Sequence, residues 1–147
     1  MTRREPEVPG NDVSIERQAD LEIGIDALWA LISTAEGWRS WLVDDAAIAV
    51  SPNERGTAID GGVARAVRID AVIEGRSVTF SWWNRGDESS RSVVQLDIVE
   101  LAEGRSRLHV SERLVGASGT AAVTATAWEV RLVSLWVLLA QQSLTMA

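Results

Sequence analysis

The chain of 147 residues has no cysteine and no tyrosine, a single phenylalanine and a single histidine. Without cysteine there are no disulfides, no thiolate nucleophile and no thiol-ligated metal; a reducing compartment suits such a chain, and the cytoplasm is the default expectation. Lysine is missing too, because all fourteen basic residues are arginines. That excludes a phosphate-loop lysine, a Schiff-base lysine and a catalytic ammonium. Acidic residues outnumber basic ones, giving a net charge of -7. A phosphate-tracking surface is basic, so nucleic acid is not an expected partner. The apolar run LWVLLA from Leu135 to Ala140, which no other unbroken run exceeds in length, falls far short of the roughly 20 residues that span a bilayer. No membrane partner is expected. The segment MTRREPEVPGNDVS has charges and prolines but no apolar signal core. Residues 1–12 read as a flexible tail and residues 13–147 as a single domain.

What the chain does contain is patterned. Ile15, Ala19, Leu21 and Ile23 alternate with Glu16, Gln18, Asp20 and Glu22, the period of a half-buried strand, and Arg17 falls on the apolar side. Ile25, Leu28, Trp29 and Ile32 then recur at helical spacing. Ser33 with Glu36 fits a capping box for a second short helix carrying Trp38, Trp41 and Leu42. From Ala46 to Leu114 antiparallel strands follow: AIAV, GTAI, ARAVRIDAVI, SVTFSWW, SVVQLDIVEL and SRLHVSERL, with turn chemistry in SPNERG, DGG, EG, NRGDESS and AEG. Gly116 and Gly119 lead out of the last strand. A long helix from Ala121 to about Ser143 places Trp128, Leu132, Leu135 and Leu139 on one side, and Val130, Val133 and Val137 broaden its apolar face. Apolar over so much of its girth, it is expected to be largely covered by the concave side of a curved sheet.

This order is similar to the helix-grip fold of the SRPBCC or START-like superfamily, and more narrowly resembles the branch named after the activator of heat shock protein 90 ATPase homologue. The segments that carry the resemblance are Ile23–Leu42, Val78–Trp83, Val93–Leu114 and the tryptophan and leucines of the last helix. Trp29 and Trp41 stand where that family places tryptophans in its first two helices. Ile23 and Gly24 replace a common alanine-proline pair. The resemblance implies an α+β fold: a curved antiparallel sheet of about six or seven strands wrapped around a long C-terminal helix, with two short helices after the first strand. It also implies a cavity between sheet and helix.

Alternation selects the side chains that would line such a cavity. Val78, Phe80 and Trp82 share a face, as do Val94, Leu96 and Ile98, then Leu108, Val110 and Glu112, and likewise Arg65, Val67 and Ile69. With Trp38, Trp41, Arg17 and Leu132 these give the expected ligand-binding set: Trp38, Trp41, Val67, Ile69, Phe80, Trp82, Leu96, Val110, Glu112, Arg17, Arg65 and Leu132. Inward charges must be partnered or used. Either Arg17 or Arg65 pairs with Glu112 structurally, or these groups orient a polar group on an apolar ligand. Histidine changes charge around neutral pH, but the single one, His109, alternates with Leu108 and Val110 and is expected on the solvated face. Asp44, Asp45 and the DESS segment from Asp87 read as loop charges, and neither a metal nor another cofactor is expected. Trp29, Trp128 and Trp136 read as packing residues. Trp83, adjacent to Trp82, must face the other side of the sheet, where it offers a possible homodimer contact.

Three functions follow in order of expectation. The first is non-enzymatic binding of a small hydrophobic or aromatic molecule. The second, implied by the wider superfamily, is a polyketide cyclase or aromatase, with Glu112 as the weak candidate acid or base. The third, implied by the branch name, is stimulation of a heat shock protein 90 ATPase.

Overall fold

The alternating and helical periods decide where the chain becomes strand and helix. In a computed structural model, which describes residues 12–115 and 121–146, β1 spans Asp12–Leu21, followed by α1 (Ile25–Ile32) and α2 (Ala35–Trp41). Six strands come next: β2 (Asp45–Ala47), β3 (Arg55–Asp60), β4 (Val63–Ile73), β5 (Ser77–Asn84), β6 (Asp87–Ala102) and β7 (Arg105–Val115). Helix α3 (Ala121–Met146) closes the chain. The expected tail up to residue 11 and the glycines at 116 and 119 lie outside the described residues.

The sheet has the order β1-β7-β6-β5-β4-β3-β2. Every neighbouring pair is antiparallel, so β2 to β7 form a meander and β1 is added beyond β7. The two short helices carry the chain from one edge strand to the other. Together with α3 on the inner face this is the helix-grip arrangement that the resemblance implied.

Period-two alternation places Val67, Ile69, Val78, Phe80, Trp82, Val94, Leu96, Leu108 and Val110 in the core. Trp38 from α2 packs on Phe80 at 4.6 Å, and Phe80 meets Trp82 edge-on at 5.2 Å. The indole N–H groups of Trp38 and Trp41 are also satisfied: they donate to the carbonyls of Ile32 (2.8 Å) and Leu31 (3.0 Å) at the end of α1. Those carbonyls have no partner within their own helix. The two tryptophans thus fasten α2 to α1.

Several elements differ from expectation. The cap of α2 is Thr34, whose hydroxyl accepts from the Gly37 N–H (2.9 Å) and donates to the Ala30 carbonyl (2.8 Å). Ser33 instead ends α1. Strand β2 stops at Ala47, and Ile48 and Val50 pack on the core beyond it. The polar NRGDESS stretch is mostly strand, because β6 starts at Asp87 and leaves only Arg85 and Gly86 in the turn. The largest correction concerns α3. Trp128, Arg131 and Leu135 are buried, but Val123, Val130, Val133, Trp136 and Val137 are exposed, because the sheet covers only one side of the helix. Trp136, expected to pack, is 63% exposed. By length and composition alone Ala122–Gln141 would suffice to cross a membrane, although its longest unbroken apolar run is short.

Gly37 sits where α2 crosses α1. A Cβ there would lie 2.5 Å from the Ala30 carbonyl oxygen and 2.6 Å from the Leu31 Cα, both backbone atoms that cannot rotate away. Gly37→Ala is therefore expected to lower stability by about 1–3 kcal/mol, despite the better helix propensity of alanine. The midpoint of urea unfolding would report it, and an unchanged midpoint would contradict the close helix contact.

Candidate functional site

The β3–β4 connection is the two-residue turn Gly61-Gly62, with both glycines at positive φ (59° and 82°). That geometry twists with the flanking strands and is available to glycine without strain. It sets Asp60 at the end of β3, facing the first half of α3. Three residues apart on α3, Trp128 and Arg131 share a face directed at the sheet. The sheet contributes Arg65 from β4, Trp82 from β5, Ser92 from β6 and Glu112 from β7.

These residues form one polar network inside an apolar interior. Glu112 is 3% exposed. Its Oε1 accepts from the Trp128 indole N–H at 2.8 Å, and its Oε2 accepts from the Trp82 indole N–H at 2.9 Å and from the Ser92 hydroxyl. The strand register explains why they meet. Ser92 lies directly opposite Trp82 across β5 and β6, while Glu112 lies opposite Val94, diagonal to Ser92 on the same face. A buried carboxylate is costly unless its lone pairs are used, and here three donors use them.

The second half of the network is cationic. Arg131 donates from Nη2 to Asp60 Oδ2 at 2.7 Å and from Nε to the Leu42 carbonyl at 3.1 Å. Arg65 Nη2 lies 3.1 Å from the same Asp60 oxygen. Both guanidiniums lie against indole rings: Arg65 is 4.2 Å from the Trp82 ring centre, and Arg131 is 4.5 Å from that of Trp128 and 5.4 Å from that of Trp82. Burial pulls the Arg65 guanidinium below the ordinary arginine pKa, against the upward pull of the Asp60 and Glu112 carboxylates. Arg65 Nε is buried and has no hydrogen-bond partner among the described residues.

Two clefts meet at Arg131. One, of about 580 Å³, runs along α2 and the segment after it, past Arg39, Trp41, Leu42 and Asp44 to Val130 of α3. The other, of about 250 Å³, is lined by Arg65, Glu112, Val123 and Thr124. Both are also lined by Asp60, Gly61, Ala127 and Arg131, so the two adjoin at these residues, in outline a bent groove. A third cleft of about 360 Å³, at the opposite end of α3, lies between Trp136, Leu139 and the acidic Asp20 and Glu22.

Among the residues selected from the sequence, Trp41 lines the larger cleft, and Arg65 and Glu112 line the smaller one. Trp82 lies behind them in contact with both arginines. Trp38, Val67, Ile69, Phe80, Leu96 and Val110 are core residues that line none of these three clefts, and Leu132 packs against that core. Arg17 is on the inner face but reaches Glu129 of α3 at 3.2 Å rather than Glu112. The expected pairing of Glu112 with Arg17 or Arg65 is replaced by hydrogen bonds from two tryptophans and a serine. His109 is half-exposed and lies 3.3 Å from Glu16. Trp83 is half-buried, with the Arg91 guanidinium 5.9 Å from its ring centre. Among the described residues no group of three or more histidine, aspartate or glutamate side chains is placed to hold a metal ion.

Asp60, Ser92, Trp128 and Arg131 complete the network and were not selected from the sequence as site residues. Two signals were present. Ser92 continues the inward parity of Val94, Leu96 and Ile98, and Arg131 interrupts an otherwise apolar helix stripe.

No protein-family model matches the chain, and no curated protein matches it in sequence. Solved structures do share its fold. CalU16 from Micromonospora echinospora superposes with a TM-score of 0.70 at 17% identity, covering 90% of this chain and 79% of that one. DynU16, a protein of the dynemicin biosynthetic locus, gives 0.75 at 16% identity over 86% of this chain, which spans only 46% of DynU16. The Aha1 dimer from Colwellia psychrerythraea gives 0.71 at 17% identity, covering 86% of this chain and 96% of that one. These likenesses show the fold.

Proposed function

We propose that the protein binds a small hydrophobic or aromatic molecule in the bent groove over Arg131, without catalysing its conversion. The observation that carries this reading is the groove itself: Trp41, Val130, Ala127 and Val123 supply apolar wall, and Arg39, Asp44, Asp60, Arg65, Glu112 and Arg131 supply fixed charged groups beside it. Sites for small molecules are concave, mostly apolar and polar at a few chosen points. The fold does not choose among functions, since proteins named for a biosynthetic locus and for chaperone activation share it.

The cyclase alternative asks Glu112 to move a proton. A general acid or base needs an oxygen within hydrogen-bond reach of the substrate. Both Glu112 oxygens are instead engaged by Trp82, Ser92 and Trp128, an arrangement that favours a structural carboxylate over a reactive one.

Ala127 borders both arms of the groove, so Ala127→Phe should block it. Titrating neutral naphthalene and anthracene derivatives while following tryptophan emission should show binding, weakened by at least about tenfold in the variant. Equal affinity for both proteins would place the ligand elsewhere. No response from either would remove the reading.

A further inference from the structure

We infer that α3 carries a docking surface for a second copy of this chain, and that the two copies join through an antiparallel pair of α3 helices. The inference is independent of the small-molecule reading above.

Spacing carries it. Trp128, Arg131 and Leu135 turn one stripe of α3 into the sheet. On the opposite side Val123, Thr126, Val130, Val133, Val137 and Ala140 are all exposed, and they follow one another at steps of three, four, three, four and three. That is the 3.5-residue period with which one helix lies along another at a shallow angle, side chains interlocked. A helix face that only meets water is polar instead. Here the four valines are 48% to 71% exposed, and Trp136 stands beside them. Contiguous apolar surface of this kind marks an interface.

A second copy is the partner that fits. Helices α1 and α2 have eight and seven residues and give their apolar sides to the core. Among the described residues, α3 alone offers an exposed seam of this length. A two-fold axis between Val130 and Val133 sets those two against each other, Thr126 against Val137, and Val123 against the small Ala140. Parallel pairing would instead stack Ala140 on Ala140 and Thr126 on Thr126, leaving a void and a polar contact in the seam. No unpaired charge enters it, since Glu129 at its flank is held by Arg17 of its own chain and Arg131 is buried. From Val123 to Ala140 the helix is about 27 Å long. A seam of that length buries on the order of 1,000 Å² in total, the lower end for specific interfaces, so the association is weak and reversible. A lipid surface fits less well: helices that lie on membranes border their apolar face with basic side chains, and the single arginine of α3 is turned inward. Val123 and Val130 also border the two clefts, so a second helix on the seam adds a wall to the groove.

Sedimentation velocity of the full chain across micromolar concentrations is expected to show a monomer–dimer equilibrium. Val133→Glu alters an exposed position that borders none of the clefts described. It should weaken the dimer at least about tenfold, because it brings two carboxylates together at the two-fold axis. The chain has no cysteine, so Val123→Cys and Ala140→Cys report the orientation. Mixed and oxidised, these two variants should form a disulfide with each other far more than either forms with itself. A wild-type chain that stays monomeric throughout overturns the inference, and partition onto phosphatidylcholine vesicles would then assign the face to lipid. A dimer that Val133→Glu leaves intact overturns the assignment to α3. Cross-linking of each cysteine variant chiefly with itself overturns the antiparallel arrangement.

Discussion

Glu112→Leu is expected to lower stability by about 3–5 kcal/mol, the range found when one partner of a buried charged network is removed. Leucine fits the volume but accepts nothing. The indole N–H groups of Trp82 and Trp128 and the Ser92 hydroxyl would all lose their acceptor, on residues that are themselves at most 1% exposed. Each stranded donor costs about 1–3 kcal/mol, moderated by local relaxation. Apolar replacement of a buried ionic group can be neutral when every partner is replaced as well; here the partners stay. A domain of this size holds a net stability of about 5–15 kcal/mol, so the variant should lie near the edge of folding. Glu112→Gln should lose less, because it keeps one acceptor oxygen and turns the other into a donor facing a donor. Urea unfolding followed by tryptophan emission and near-ultraviolet circular dichroism separates the two. A leucine variant as stable as wild type would mean that the network contributes nothing to holding sheet and helix together.

Arg131→Met should cost about 2–4 kcal/mol, since it breaks a partly buried ion pair and a hydrogen bond to backbone together. Asp60 would keep Arg65, but the Leu42 carbonyl would lose its donor and the Trp128 face its cation. A double-mutant cycle with Asp60→Asn isolates the pair itself, and its coupling should be about 1–3 kcal/mol, as for residues in direct contact. Additive losses would show that Arg131 acts through the Leu42 carbonyl and the indoles alone.

The inward and outward faces were legible in the sequence wherever a strand kept strict alternation. Phe80 and Trp82 on β5, Leu96 on β6 and Val110 on β7 are buried because period two leaves no choice of face. The same logic put Glu112 inside. It did not supply the partners. Asp60 and Arg131 are 71 positions apart, and no local period links a hairpin turn to a helix face. Arg17 shows the same limit: its side of the sheet followed from alternation, while its partner Glu129 depended on where α3 lies. Composition misled in two places. The polar residues after Gly86 suggested a loop, although strand residues facing solvent are polar too. The valines of α3 suggested a covered helix, although a sheet on one side reaches only one stripe.

The position of β1 constrains when the sheet can be completed during synthesis. Its register runs from Asp12 opposite Val115 to Leu21 opposite Ser106, so the first strand pairs only with the last. On the ribosome it emerges with no partner, and waits while the whole meander is made. Its ten residues cannot join the sheet until β7 has left the exit tunnel. Such long-range pairing is the slow, entropically costly kind. The outward Ser14, Glu16, Gln18 and Asp20 keep one face of the waiting strand polar, the composition that keeps unpaired strands from joining the wrong chain.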